Sequence, residues 1–416
     1  MESSACFVST SLLRGLRVYD EKQGDQHMTI LAAIAGIILI VVPLLDGFET
    51  VIQPRRVTHR FRFARLYYRS TWSAWRFVAL RLGNAKVRES FLSVFGPLSM
   101  IGLLASWLLG LMVGFALIHW SLGTPLYTHD PAPSHGGTFG VALYMSGTTL
   151  FTLGFGDITP VNPLGRALAV AESGLGFGFL AIIISYLPVL YQAYSQRETT
   201  ISLLDARAGS PPSAGQLLLR LARGNGGKLD AVEPFLIEWE SWAAQLLEIH
   251  LSFTVLTYYR SQHDNQSWLA ALTMILDTCA ILIAELDRAG DDKLSYRAQL
   301  TFAIARHAAV DLSLVVKAPP KDAGDDRFPV ERRVVLRDQL RAAGVSVRDR
   351  DAKLEELRHL YEPFVRALAM RFLFTLPKVL PDDQNLADNW QRSAWMNRSP
   401  GIGSLPVARV DEEHFE

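Results

Sequence analysis

The sequence predicts an all-α membrane protein followed by an all-helical polar half, and three observations carry that prediction. Three stretches are apolar over about 20 residues, the length a helix needs to cross a bilayer. A fourth apolar stretch, between the second and third, is too short to cross and runs into a glycine-rich segment. The second half of the chain has helical periodicity, no strand alternation, and two Gly- or Pro-rich connectors. At 416 residues, 49% of them hydrophobic and 20% charged, the chain is long enough for two or three folding units. Lys plus Arg equals Asp plus Glu, at 41 each. Net charge therefore argues against a nucleic-acid partner.

Residues 1–27 read as a short tail without the long apolar core of a cleaved signal. The first span, "MTILAAIAGIILIVVPLL", runs from about Met28 to Leu45 within a segment 28–52. Residues 53–95 follow, and from 54 onward they hold ten Arg and Lys against one acid, Glu89. Arginines alternate there with aromatics, which suits a helix lying on anionic lipid headgroups over residues 55–88. The second span, about Leu98 to Trp120, ends on an interfacial tryptophan. The third runs from about Ala167 to Tyr194, so that 96–199 forms one membrane domain and 200–416 a separate helical one. Residues 121–163 contain no Lys or Arg. By the positive-inside rule the basic loop is cytoplasmic and the second loop external. The N-terminus is then outside and the long C-terminal half cytoplasmic.

The external loop carries the chemistry. Phe139 to Phe151 is about the right length for a re-entrant helix, and "TLGFGD" returns from it. Irregular backbone at membrane depth is tolerated only where protein buries it or where it lines an aqueous path. Gly154 and Gly156 can take backbone angles closed to other residues, so successive carbonyls can turn to one side. Thr152 adds a hydroxyl oxygen. Such strands from several chains can replace the water shell of a monovalent cation, and the short helix aims its negative carboxyl end toward the membrane centre.

Thr152, Leu153, Gly154, Phe155, Gly156 and Asp157, with Pro160 three residues on, resemble the selectivity filter of potassium channels. The usual pattern there is Thr-Val-Gly-Tyr-Gly-Asp followed by proline, and Leu and Phe variants occur in channels with two pores per subunit. The resemblance covers about residues 96–195 and extends to "GR" at Gly165 and Arg166, which opens the inner helix as in bacterial potassium channels. Gly176 stands where that family carries its hinge glycine. The resemblance implies an outer helix, a pore helix with filter, and an inner helix. It places K+ on Thr152, Leu153, Gly154 and Phe155. One filter per chain implies a homotetramer, since a pore of this type needs four. Two positions depart from the pattern: Phe151 replaces the usual hydroxyl residue, and Tyr144 and Met145 replace the tryptophan pair. Aligned on the filter, Tyr144 takes the place of a tryptophan that hydrogen-bonds the filter aspartate. Thr148 takes the place of a glutamate that pairs with it in some bacterial channels.

Other residues are less specific. Glu172 is an ionisable group inside a span and so a functional candidate. It can brace the filter from behind, face a cavity, or sit buried and protonated on a hydroxyl. Gly174, Gly176 and Gly178 can hinge the inner helix or pack it closely. Pro188 can kink it at a gate or do so structurally.

In the C-terminal half, "AGSPPSAG" (208–215) and "RGNGGK" (223–228) read as connectors, the latter lacking phosphate-loop spacing. Helices are expected at about 231–260, 266–288, 294–316, 330–342 and 350–376. "SWLAALTMILDTCAILIAEL" is apolar nearly all round but holds Asp277 and Glu285, and reads as the central helix of that half. No dinucleotide fingerprint is present. Cys6 and Cys279 lie far apart, and His250, His263, His307 and His359 are scattered, so no cofactor or metal site emerges. The last forty residues read as irregular. The sequence thus points to a membrane channel rather than an enzyme. The alternative is a sensor or scaffold with a vestigial pore.

Overall fold

Four helices long and apolar enough to cross a membrane stand among the described residues of the computed structural model, which are 27–52, 62–128, 139–262, 265–286, 292–322 and 324–382. The N-terminal tail and Arg55, Arg56 and Arg60 lie outside the described residues. Two units result. One comprises residues 1–82 and 97–189, the other 83–96 and 190–416.

The first unit begins with α1 (His27–Val51), whose last turn is a π-helix, Phe48–Ile52. It continues through α2 (Phe63–Ala79) and α3 (Ala85–Ser121). A side chain on Gly36 would put its Cβ 2.8 Å from the carbonyl oxygen of Gly114, and one on Gly114 would lie 2.9 Å from that of Gly36. Small residues let two apolar helices approach to this distance where lipid offers no hydrophobic drive. Further along, Gly110 faces Pro43, so α1 and α3 run antiparallel. Buried Asp46 ties three helices together, accepting from the backbone N–H of Ala64 at the start of α2 (2.8 Å) and from Trp107 Nε1 of α3 (3.0 Å). The amide end of α2 is a favourable place for a carboxylate.

α3 starts at Ala85 rather than near Leu98. Hydropathy marks only the apolar part of a helix, whereas Asn84 starts this one, its Oδ1 accepting from Lys86 N at 2.9 Å. For the same reason α5 (Pro163–Ser202) outruns the expected end at Tyr194. Between α3 and α5 lie β1 (Leu126–Thr128), α4 (Phe139–Leu150) and β2 (Ile158–Pro160). The two strands pair antiparallel, Leu126 with Pro160 and Thr128 with Ile158, and close the two flanks of the loop on each other. Three residues per strand leave too little alternation to read from sequence.

The regular elements of the second unit, among its described residues, are helices: α6 (Leu204–Ala208), α7 (Ala214–Gly224), α8 (Val232–Ser252), a 3₁₀ turn (Thr254–Tyr258), α9 (Trp268–Glu285), α10 (Asp292–Val315), α11 (Val330–Ala342), α12 (Asp351–His359) and α13 (Glu362–Phe372), with one isolated bridge between Leu286 and Val347. α7 fills the space between the two expected connectors. It starts at Ser213, whose hydroxyl accepts from Gln216 N. The expected helix over 350–376 divides at Leu360–Tyr361, just before Pro363. All eighteen residues of α9 are buried. α7, α10, α12 and α13 pack around it, and α8 reaches its first residue through His250, whose ring lies 4.9 Å from that of Trp268.

Its two carboxylates are matched. Arg327 holds Asp277 through both guanidinium nitrogens at 2.9 and 3.0 Å, and Tyr361 donates to the same carboxylate at 2.6 Å. Arg327 also binds Glu362, and Arg337 binds Glu285 at 2.6 Å. Such pairs leave no buried charge unanswered, which is why an apolar helix can carry two acids.

The base of α3 and the end of α5 are both tied to residues 254–260. Arg260 pairs with Glu89 of α3 at 3.0 Å, and Phe95 meets Tyr258 edge-on at 5.2 Å. From α5, Tyr194 donates to the Arg260 carbonyl at 3.1 Å. Buried Arg197 donates to the carbonyls of Leu256 (2.9 Å) and Tyr259 (3.2 Å). Arg197 also faces His250 Nε2 at 3.2 Å, while Nδ1 of that ring donates to the Leu246 carbonyl at 2.7 Å.

Two outcomes are expected for this unit. Arg327→Ala strands the Asp277 charge and costs about 3–5 kcal/mol. That is read as a lower thermal midpoint by circular dichroism, with exposed Lys353→Ala as an unchanged control. The unit also loses stability in acid. Burial, and then the charge of Arg197, push the pKa of His250 from 6.5 down to about 3. The unfolded chain therefore binds a proton below about pH 6.5 that folded His250 does not take, so stability is full above that pH and falls as pH drops toward 3. The hydrogen bond from Arg337 holds Asp351 below the usual carboxylate range. Burial raises Glu362, but Arg327 outweighs it and holds this group low too. Both lose their contribution as pH falls through their depressed values, the same direction as His250. The loss from His250 alone is on the order of 2 kcal/mol by pH 5. Unfolding midpoints measured from pH 7.5 to 4.5 should fall monotonically, and His250→Leu should flatten the upper part of the curve.

Candidate functional site

α4 is short and ends in a reversal rather than a free terminus. The main-chain carbonyl of Thr148 accepts from both Leu153 N (2.8 Å) and Gly154 N (3.3 Å). Phe151 N and Thr152 N bond back to Gly147 and Thr149, so the chain leaves the helix already fastened to it. From there φ is positive at every second residue: Thr152 (55°), Gly154 (58°) and Gly156 (77°). Alternating left- and right-handed residues bring successive N–H groups to one side and successive carbonyls to the other. Glycine takes these angles without strain, whereas Thr152 bears a cost of about 1–2 kcal/mol.

Residues 151 to 156 are all exposed within one chain, Phe155 at 66%. Among the described residues no hydrogen-bond donor reaches the carbonyls of 152 to 156. The side chains there bear no charge. The segment is a row of unspent carbonyl oxygens at the negative end of a helix, chemistry that suits a cation stripped of water.

The residues expected to brace this row fall into separate contacts. The side chains of Tyr144 and Asp157 face each other closely enough to interact. Thr148 braces by its main chain, because its hydroxyl is spent on the Met145 carbonyl of its own helix at 2.9 Å. Glu172 is fully buried behind α4. One of its oxygens meets the hydroxyl of Ser146, and the other lies 3.7 Å from His119 Nε2 of α3. It reaches α4 rather than the filter aspartate. Sequence reasoning does not single out Ser146 and His119. A serine in an apolar re-entrant helix and a histidine at the end of a span are the signals that could mark them.

The three inner-helix glycines differ. A Cβ on Gly176 would lie 2.2 Å from the carbonyl oxygen of Leu150, the last residue of α4. That glycine is required by close packing. A Cβ on Gly174 or Gly178 would meet nothing within 4 Å in one chain, and α5 runs as a single helix through them and through Pro188. Gly165 is crowded by Asn162, Thr124 and Pro160, and its N–H is capped by Asn162 Oδ1 at 2.9 Å.

A loop of this construction between membrane-length helices defines a multi-pass membrane protein with a pore-type re-entrant segment. Comparison with known sequences agrees. A family described as "Ion channel" matches residues 104–192. Protein LctB of Geobacillus stearothermophilus is 35% identical over 94 residues, 21% of this chain and 69% of that protein. The uncharacterized membrane protein YdjJ of Bacillus subtilis (strain 168) is 25% identical over 192 residues, 46% of this chain and 54% of its own. Two pore potassium channel c of Oryza sativa subsp. japonica is 37% identical over 76 residues, 17% of either chain. No solved structure matches. The chain belongs to the ion-channel family.

The glycine contacts yield a direct comparison. Gly176→Ala drives a methyl into the Leu150 carbonyl and should cost about 1–3 kcal/mol by overpacking, seen as a lower thermal midpoint of the purified protein in detergent. Gly174→Ala meets no such contact within one chain and gains helix propensity, so its midpoint should be no lower than wild type.

Proposed function

We propose that the protein is a potassium-selective channel formed by four copies of the chain around one axis, with K+ bound by the carbonyls of Thr152, Leu153, Gly154 and Phe155 and by the Thr152 hydroxyl. The observation that carries this reading is the alternation of positive φ through TLGFGD, which leaves a row of carbonyls without internal partners. Gly156 turns the chain out of the row, and Asp157 with Tyr144 steadies its outer end.

The four-fold arrangement is supported by what one chain leaves bare. A single row cannot surround an ion. On α5, Val170 (74% exposed), Phe177 (70%), Ile184 (69%) and Tyr191 (65%) recur every seven residues on one face. That face suits neighbouring copies of the same helix. Gly174 and Gly178 lie on the same helix without close neighbours in one chain, so hinging of α5 belongs to the assembled pore. The distribution of basic residues supports an N-terminus outside and a helical half in the cytoplasm. The arginines of α2 then meet anionic headgroups. The helical half serves as a regulatory domain through its hold on α3 and α5, rather than as an enzyme.

The test is flux. Purified protein in liposomes loaded with potassium, with sodium as comparison, should carry K+ strongly in preference to Na+. Gly154→Ala should abolish K+ flux while the oligomer stays assembled. Intact protein that orients in the bilayer yet carries neither ion would instead favour a membrane sensor or scaffold with a vestigial pore.

A further inference from the structure

Behind the loop, three helices meet at one hydroxyl. Ser146 of α4 lies 2.7 Å from the main-chain carbonyl of Met112 on α3, and it also meets Oε1 of Glu172 on α5 at hydrogen-bond distance. Both Ser146 and Glu172 are fully buried. A hydroxyl has one proton to give, and a carbonyl can only accept. If Ser146 gives its proton to Met112, the bond to Glu172 requires a proton on the carboxyl. If Glu172 were a carboxylate, Ser146 could answer only one of two acceptors, and the other would press lone pair on lone pair. Met112 lies inside α3, where its carbonyl is already met by the helix, so the cost falls on the oxygen pair left without a proton between them, and most heavily on a buried carboxylate.

We infer that Glu172 is a positioning residue that works as a neutral acid, its O–H donating to Ser146 Oγ and the Ser146 proton going on to the Met112 carbonyl. The relay runs from α5 through α4 to α3 and fixes the helix that carries the filter. Its placement explains why it matters. Gly176, one turn further along α5, lies under Leu150 at the end of α4. α4 is therefore held by a hydrogen-bond relay at Ser146 and by direct backbone packing at its last residue. His119 is the titratable group that faces Glu172 from α3; α4 offers the Ser146 hydroxyl and no ionisable side chain at this point. His119 Nε2 and Glu172 Oε2, 3.7 Å apart, are beyond hydrogen-bond distance and have no other partner among the described residues. An ionised pair of this kind would be expected to close.

This inference rests on the channel reading for its effect on flux, but the relay itself does not. The experiment compares Glu172→Gln, Glu172→Ala and Ser146→Ala with wild type, each as the full chain, by potassium flux in liposomes and by thermal midpoint in detergent. Glutamine keeps a neutral donor at the same place. The expected result is that Glu172→Gln rescues, with flux within about twofold of wild type and an unchanged midpoint, while Glu172→Ala and Ser146→Ala lose about tenfold or more in flux and melt lower. If Glu172→Gln is as damaged as Glu172→Ala, the group works as a carboxylate paired with His119 and the inference is overturned. Unchanged behaviour of Glu172→Ala overturns it as well. Should wild type itself carry no ions, the channel reading fails, and the order of midpoints alone still decides the relay.

Discussion

A stretch of main chain whose carbonyls are kept free cannot be held by its own hydrogen bonds. Residues 152 to 156 are in that position, and the first unit is organised around holding them from outside. The Thr148 carbonyl seizes the amides of Leu153 and Gly154 within the row, and Tyr144 meets Asp157 at its other end. α4 is in turn fixed by Ser146 against α3 and α5, and by Leu150 against Gly176. The flanks of the loop close through β1 and β2. Each contact lies one step further from the row than the last, and each constrains the step before it.

The second unit solves a different problem with the same kind of matching. A helix as apolar as α9 would suit a membrane, yet here four other helices pack on it, and its acids are answered by arginines that come from distant parts of the chain. The bases of α3 and α5 belong to this unit, and both are tied to residues 254–260. The two helices that flank the loop are therefore joined again at their far ends by a short segment of the helical half.

Much of this is legible in sequence where a local rule decides the outcome. Hydropathy locates α1, α3 and α5, and the spacing of threonine, glycines and aspartate picks out the loop. Hydropathy does not give the ends of α3 and α5, because polar residues such as those around Asn84 and Arg197 continue a helix without an apolar signal. α7 escapes because the glycines and prolines on either side of it dominate the local pattern. The roles of Thr148 and Glu172 turn on contacts made across the fold. Whether a threonine braces by hydroxyl or by carbonyl, and which helix a buried acid reaches, depends on the packing of three helices. Gly110 and Gly114 stand at the four-residue spacing of small residues that marks close helix packing in an apolar span, but which helix answers them, here α1 through Gly36, is decided only by the fold.

In the proposed pore, four rows of carbonyls from four chains surround a dehydrated cation. Single-particle electron cryomicroscopy of the full chain in potassium tests this most directly. The expected result is four-fold symmetry, with a column of ion density on the axis between the carbonyls of Thr152 and Phe155. A particle of another symmetry, or four chains whose loops leave the axis empty in potassium, would contradict it.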